Sequence, residues 1–145
     1  MNERSIAEEA VNVTGSHKAA GDPGPTVYSI DETSAEAAFA PIILAFISDP
    51  AARWSWPRAD DYLRNMPLFA RAFGEKSFGL GTAFGIDQLA GAALWLPPDT
   101  SVDEDALAGL VERTMPSSIQ RDAEHVFKQM ATFHPEEPHW FLPLI

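Results

Sequence analysis

His134, Glu136, Glu137 and His139 crowd into one short stretch, separated by Pro135 and Pro138. Imidazoles and carboxylates this close can move protons near neutral pH or hold a metal ion. The prolines force extended or turn geometry, so these side chains do not share the i, i+4 helical face of common zinc motifs. The expectation is a turn that positions the next strand, with His139 bonded to backbone and no metal. Trp54, Trp56, Trp95 and Trp140 offer flat faces that suit apolar or cationic groups. Trp54 and Trp56 fall in an expected loop, where an aromatic ring can line a pocket; Trp95 and Trp140 read as core. Asp103, Glu104 and Asp105 are explained by the first turn of a helix, where negative charge is favoured.

The background to these residues is ordinary for a globular chain. Of 145 residues, 46% are hydrophobic and 21% charged, enough apolar surface for one domain with a sizeable core. No apolar run approaches the roughly 20 residues that span a bilayer. A net charge of −11, from 21 acidic against 10 basic residues, repels phosphate backbones and anionic lipid, so neither nucleic acid nor a membrane surface is an expected partner. Cysteine is absent, which excludes disulfides and thiolate metal sites and fits a reducing cytoplasm. Met1 to Glu9 has no apolar segment of the kind a secretory signal needs. The expected location is cytoplasmic.

Residues 1–25 carry no apolar periodicity and end in Gly21-Asp22-Pro23-Gly24-Pro25, which reads as a mobile tail, with a short helix over Ile6 to Val11 as the alternative. One domain is expected over 26–145. Thr26 to Ile30 alternates as a strand. Thr33 and Glu36 have capping-box spacing ahead of a helix whose stripe is Ala35, Ala38, Phe39, Ile42, Ile43 and Phe46, with a kink or break at Pro41. A loop over Asp49 to Pro57 leads to a second helix carrying Tyr62, Leu63, Met66, Phe69 and Phe73, interrupted by Pro67. Phe78, Leu80, Phe84 and Ile86 share one parity, which predicts a strand from Phe78 to Ile86 and, after a turn at Asp87-Gln88, an antiparallel partner over Leu89 to Leu96. Ser101 with Glu104, then Ser117 with Gln120, open two more helices. The second has Ile119, Ala123, Val126, Phe127 and Met130 as its buried stripe. A strand from His139 ends the chain. The fold class is α/β of the α+β kind, in the order strand, helix, helix, strand, strand, helix, helix, strand, with a mostly antiparallel sheet and packed helices.

Gly91-Ala92-Ala93-Leu94-Trp95-Leu96-Pro97-Pro98, followed by His134-Pro135-Glu136-Glu137-Pro138-His139-Trp140-Phe141-Leu142, resembles the N-terminal half of a GNAT-superfamily N-acetyltransferase. The resemblance is to the branch in which a G-A-A-L-W-x-P-P strand precedes an H-P-x-x-P-H-W-Y-L strand. Asp49-Pro50 after the first helix, with Trp54 beyond it, fits the same branch. Order and spacing agree over roughly residues 26–145. The resemblance implies transfer of an acetyl group from acetyl-CoA to a small-molecule or peptide amine, by direct attack and with no covalent enzyme intermediate.

It also implies a division of labour. The last strand bulges in that family, and its freed backbone groups, here about Leu144 and Ile145, bind the pantetheine arm and polarise the acetyl carbonyl. The acceptor amine approaches past Asp49, Arg53, Trp54, Trp56 and Trp95. No motif identifies a general base; His139 and Glu137 are the nearest candidates. The family's glycine-rich loop, which aims backbone N–H groups at the cofactor pyrophosphate, has no counterpart in the sequence. The domain is therefore expected to be incomplete at its C-terminus, to bind acetyl-CoA weakly or not at all, and to be inactive alone. The competing expectation is a non-catalytic interaction module, whose last strand pairs through its open edge with a second copy or a complementing chain.

Overall fold

A computed structural model describes residues 24–145. The expected tail, and the helix over Ile6 to Val11 that was its alternative, lie outside the described residues apart from Gly24 and Pro25. Four strands, β1 (Val27–Ser29), β2 (Ala83–Ile86), β3 (Gly91–Leu96) and β4 (Phe141–Leu144), form one sheet in the order β1-β2-β3-β4. Every neighbouring pair is antiparallel. Among the described residues six α-helices accompany it: α1 (Ala35–Ala45), α2 (Pro50–Ser55), α3 (Ala59–Gly74), α4 (Lys76–Gly79), α5 (Glu104–Thr114) and α6 (Ser117–Ala131). The protein has an α+β fold.

One face of the sheet is buried because its cross-strand partners are small or aliphatic. Ala83 lies opposite Leu94, and Gly85 opposite Ala92. Ala38, Phe39 and Ile42 of α1 and Ala70 of α3 close over them as the first core. A second core gathers Trp56, Tyr62, Met66, Leu110, Met115 and Ala123, and Ile43 and Phe46 touch both. The end of α3 reaches the sheet only because Gly74 has no side chain: a Cβ there would stand 2.3 Å from Leu94 Cδ1.

Several local expectations are corrected. Asp31, not Thr33, caps the turn leading into α1, its Oδ1 accepting from Ser34 N at 3.1 Å and Thr33 Oγ1 at 2.7 Å. Asp103, not Ser101, caps α5 through Ala106 N at 3.0 Å. In both places a carboxylate, the stronger acceptor, takes the post from a hydroxyl. Ser117 makes no capping bond for α6, and Gln120 instead donates to the carbonyls of Glu112 and Met115 at the end of α5. Pro41 and Pro67 interrupt nothing; each stands inside a continuous helix whose buried stripe continues on both sides of it. The loop over Asp49 to Pro57 contains α2, started by Pro50 and capped by Asp49.

The strand expected from Phe78 is also shorter than its pattern. Phe78 belongs to α4, and Leu80 is 49% exposed. Thr82 N donates to Ser77 O at 2.9 Å, turning the chain through Gly81 at φ 68°, so pairing begins only at Ala83. The hairpin turn is longer than Asp87-Gln88: Asp87, Gln88 and Leu89 all have positive φ, and Leu89 leaves the strand. Thr26 and Asp87 hold that turn to the start of β1 with two hydrogen bonds.

Candidate functional site

The register of the last two strands is broken. Leu94 pairs with Leu144 and Leu96 with Phe141, so two steps along β3 face three along β4. The extra residue makes a bulge opposite Trp95, at Leu142 and Pro143. Trp95 contributes nothing to repair it, because its backbone is turned the other way: its N–H donates to Thr82 O at 3.1 Å, and its carbonyl accepts from Thr82 Oγ1 at 2.6 Å. Pro143 has no N–H to offer. A bulge of this kind bends the strand and withdraws its backbone groups from the ladder. The Leu144 side chain is buried while Ile145 is 70% exposed, so the two expected cofactor-side residues differ in access. Trp95 is half-buried beside them.

The turn before β4 has the predicted form. Thr132 to Pro138 follows α6 without entering another element, and His139 Nδ1 lies 2.7 Å from Glu137 O. Carbonyls only accept, so Nδ1 carries the hydrogen, and in the neutral ring the lone pair is on Nε2. Glu137 is exposed, and its contribution in the structure is its backbone carbonyl. His134, from the other end of the turn, packs its ring 4.6 Å from that of His139 and 5.3 Å from that of Phe141. Trp140, expected in the core, is 55% exposed.

Asp49, Arg53, Trp54 and Trp56 belong to a separate neighbourhood around α2. Asp49 Oδ1 accepts from Ala52 N at 2.9 Å, the bond that starts the helix. Arg53 donates to Pro57 O at 2.5 Å and lies over the Tyr62 ring at 5.5 Å. Trp54 is open to solvent. Trp56 cannot line a pocket: it is 2% exposed, packs edge-on to Phe69, and donates from Nε1 to Thr114 Oγ1 at 3.1 Å. Beneath Arg53, the Tyr62 hydroxyl donates to Ile43 O at 2.5 Å. Burial raises the Tyr62 pKa above its ordinary value, with Arg53 opposing and Asp49 adding to the shift. Among the described residues, no hydrogen bond or ring contact joins this neighbourhood to Trp95 or β4.

A cleft of about 390 Å³ opens between α3, α4 and α5, lined by charged groups including Glu32, Arg71, Lys76, Asp103 and Arg113; of the residues weighed from the sequence it holds Asp103, and it holds none of the catalytic, cofactor-side or acceptor-side candidates. Two of its cations are committed to the fold. Arg71 pairs with Glu36 and with Glu75 and covers the Phe39 ring, and Lys76 donates to Ser101 O at 2.8 Å. Among the described residues, no three His, Cys, Asp or Glu side chains gather as a metal site, and no helix is long and apolar enough to cross a membrane. Thr82, Thr114 and His134 are the positions whose structural importance the sequence reading missed or undervalued. Only His134 carried a signal, its place in the Pro-bracketed stretch. No family model matches the chain, and no curated protein or solved structure matches it.

Proposed function

We propose that the chain acts as a GNAT-type N-acetyltransferase-like protein, transferring an acetyl group from acetyl-CoA to a small-molecule or peptide amine. The observation that carries the reading is the bulge in β4 opposite Trp95: the resemblance calls for a bulge in the last strand, expected to free backbone groups at about Leu144 and Ile145, and the break lies just before them, at Leu142 and Pro143, with Leu144 itself paired to Leu94. Of the two bulge residues only Leu142 has an N–H, and that group suits the oxygen of a thioester carbonyl as it gains charge. The amine lone pair adds to that carbon, the thiolate leaves, and a base removes the proton from nitrogen. His139 is the candidate base, since its Nδ1–H bond leaves Nε2 able to accept. Trp95 at the bulge, with Asp49, Arg53 and Trp54 on the α2 side, are the acceptor-side residues retained in the proposal.

The fit to acetyl-CoA is partial. The bulge suits the thioester end, whereas no glycine-rich loop precedes a helix among the described residues: Gly79 closes α4 and Gly81 leads towards β2. The pyrophosphate therefore has no cradle in these residues, and transfer requires one from elsewhere.

Amide NMR during titration with S-acetyl-pantetheine, and separately with acetyl-CoA, tests this. Millimolar binding is expected for both, with the shifted amides centred on Trp95, Leu142, Leu144 and Ile145. Shifts that avoid the bulge at millimolar ligand would remove the reading, and micromolar binding of acetyl-CoA would contradict the missing cradle.

One observation favours a second reading, an interaction module. Among the described residues, β4 is an outer strand of the sheet, paired on one side only. An extended segment, from a second copy or a complementing chain, would find unpaired backbone groups there. A stable monomer at high protein concentration counts against the second-copy form.

A further inference from the structure

Prolines at 135 and 138 remove a helical ligand face, but the turn they enforce brings two imidazoles together by another route. The rings of His134 and His139 are 4.6 Å apart at an interplanar angle of 64°. Two imidazoles bound to one ion at right or tetrahedral angles, with ion–nitrogen distances of about 2.0–2.1 Å, have ring centres roughly 4.5–5.2 Å apart. The observed spacing falls at the short end of that range. His139 also has the backing that ligating histidines show: one ring nitrogen donates to a backbone carbonyl, Glu137 O at 2.7 Å, which fixes the tautomer and leaves Nε2 to bind. Pro135 and Pro138 restrict the turn, so little freedom is lost on binding. Glu136 and Glu137, both exposed, surround it with negative charge.

We propose that His134 and His139 form a two-imidazole site for a divalent transition ion of the imidazole-preferring class, Zn²⁺, Ni²⁺ or Cu²⁺, with water completing the coordination. The ion would clamp the segment after α6 to the start of β4. It would also occupy the lone pair that His139 needs as a base, so ion binding and proton transfer at that ring exclude one another. The site does not depend on the acetyltransfer reading.

The experiment is a titration of the whole chain with zinc chloride, followed by the ring nitrogens in imidazole NMR and by thermal unfolding. Saturable one-to-one shifts at His134 and His139 are expected, with a zinc-dependent rise in Tm. His134→Ala or His139→Ala should each weaken binding tenfold or more and abolish the rise, measured against each variant's own metal-free Tm. His125→Ala should leave binding unchanged. Absence of shifts at the two rings up to millimolar zinc, or binding that survives both substitutions, overturns the proposal.

Discussion

Trp56 and Thr114 hold each other across 58 positions of chain, the indole Nε1 donating to the threonine Oγ1 at 3.1 Å. The hydroxyl passes its own hydrogen to Leu110 O at 2.7 Å, so α5 and the end of α2 are joined through one side chain. Thr114→Val keeps the shape and removes the acceptor, leaving a buried indole N–H without a partner. The expected loss is about 1–3 kcal/mol in urea unfolding, with Thr114→Ser close to wild type. A valine variant as stable as wild type would show that the bond is dispensable.

Gly74 and Leu94 set how closely α3 approaches the sheet. Alanine at Gly74 would improve helix propensity by up to about 1 kcal/mol, but its Cβ would meet Leu94 Cδ1 at 2.3 Å and Leu94 Cβ at 3.1 Å. The clash decides the sign, because Leu94 is fully buried and its Cβ cannot swing away. Gly74→Ala should cost about 1–3 kcal/mol. In a Leu94→Ala background, itself destabilised by about 2–5 kcal/mol, the added cost of Gly74→Ala should shrink, since only the 3.1 Å approach to the Cβ of residue 94 remains. Additive losses in the double-mutant cycle would show that the two positions do not meet.

Tyr62 should make the protein sensitive to alkali. An unfolded tyrosine loses its proton at about pH 10, and burial raises the pKa of the folded residue above that. The folded state therefore binds more protons than the unfolded state once pH passes the unfolded value. Stability is intact below that pH and declines as it rises towards the folded pKa. Urea midpoints measured from pH 8 to 11 should fall more steeply for wild type than for Tyr62→Phe. Parallel curves would mean that the hydroxyl titrates as if free.

Sequence pattern revealed types of element better than their limits. The apolar stripe of α1 is legible because Ala38, Phe39 and Ile42 repeat at helical spacing and all three are buried. The same rule extended β2 back to Phe78, because two-residue alternation cannot tell a strand from a helical turn followed by Gly79-Leu80-Gly81. What separates them is the tertiary bond from Thr82 N to Ser77 O. Among candidate site residues, the turn that fixes His139 was legible from its prolines. The burial of Trp56 was not, since it depends on Thr114 and Phe69, far away in sequence.

Helix α6 separates pattern from burial most sharply. Its stripe of Ile119, Ala123, Val126, Phe127 and Met130 reads as core, yet only Ala123 is buried, Ile119 is half-covered, and Met130 is 63% exposed. The helix is held at its N-terminal end, where Ala123 enters the second core and Gln120 reaches back to α5. Its far end has no comparable attachment to either core. Met130→Gln and Val126→Thr should therefore change stability by no more than about 0.5 kcal/mol, the range of exposed substitutions. Ala123→Leu forces extra volume into a filled space and should cost about 1–3 kcal/mol. Urea unfolding of the three variants checks this. A loss at Met130 as large as that at Ala123 would place the whole stripe against a partner in solution.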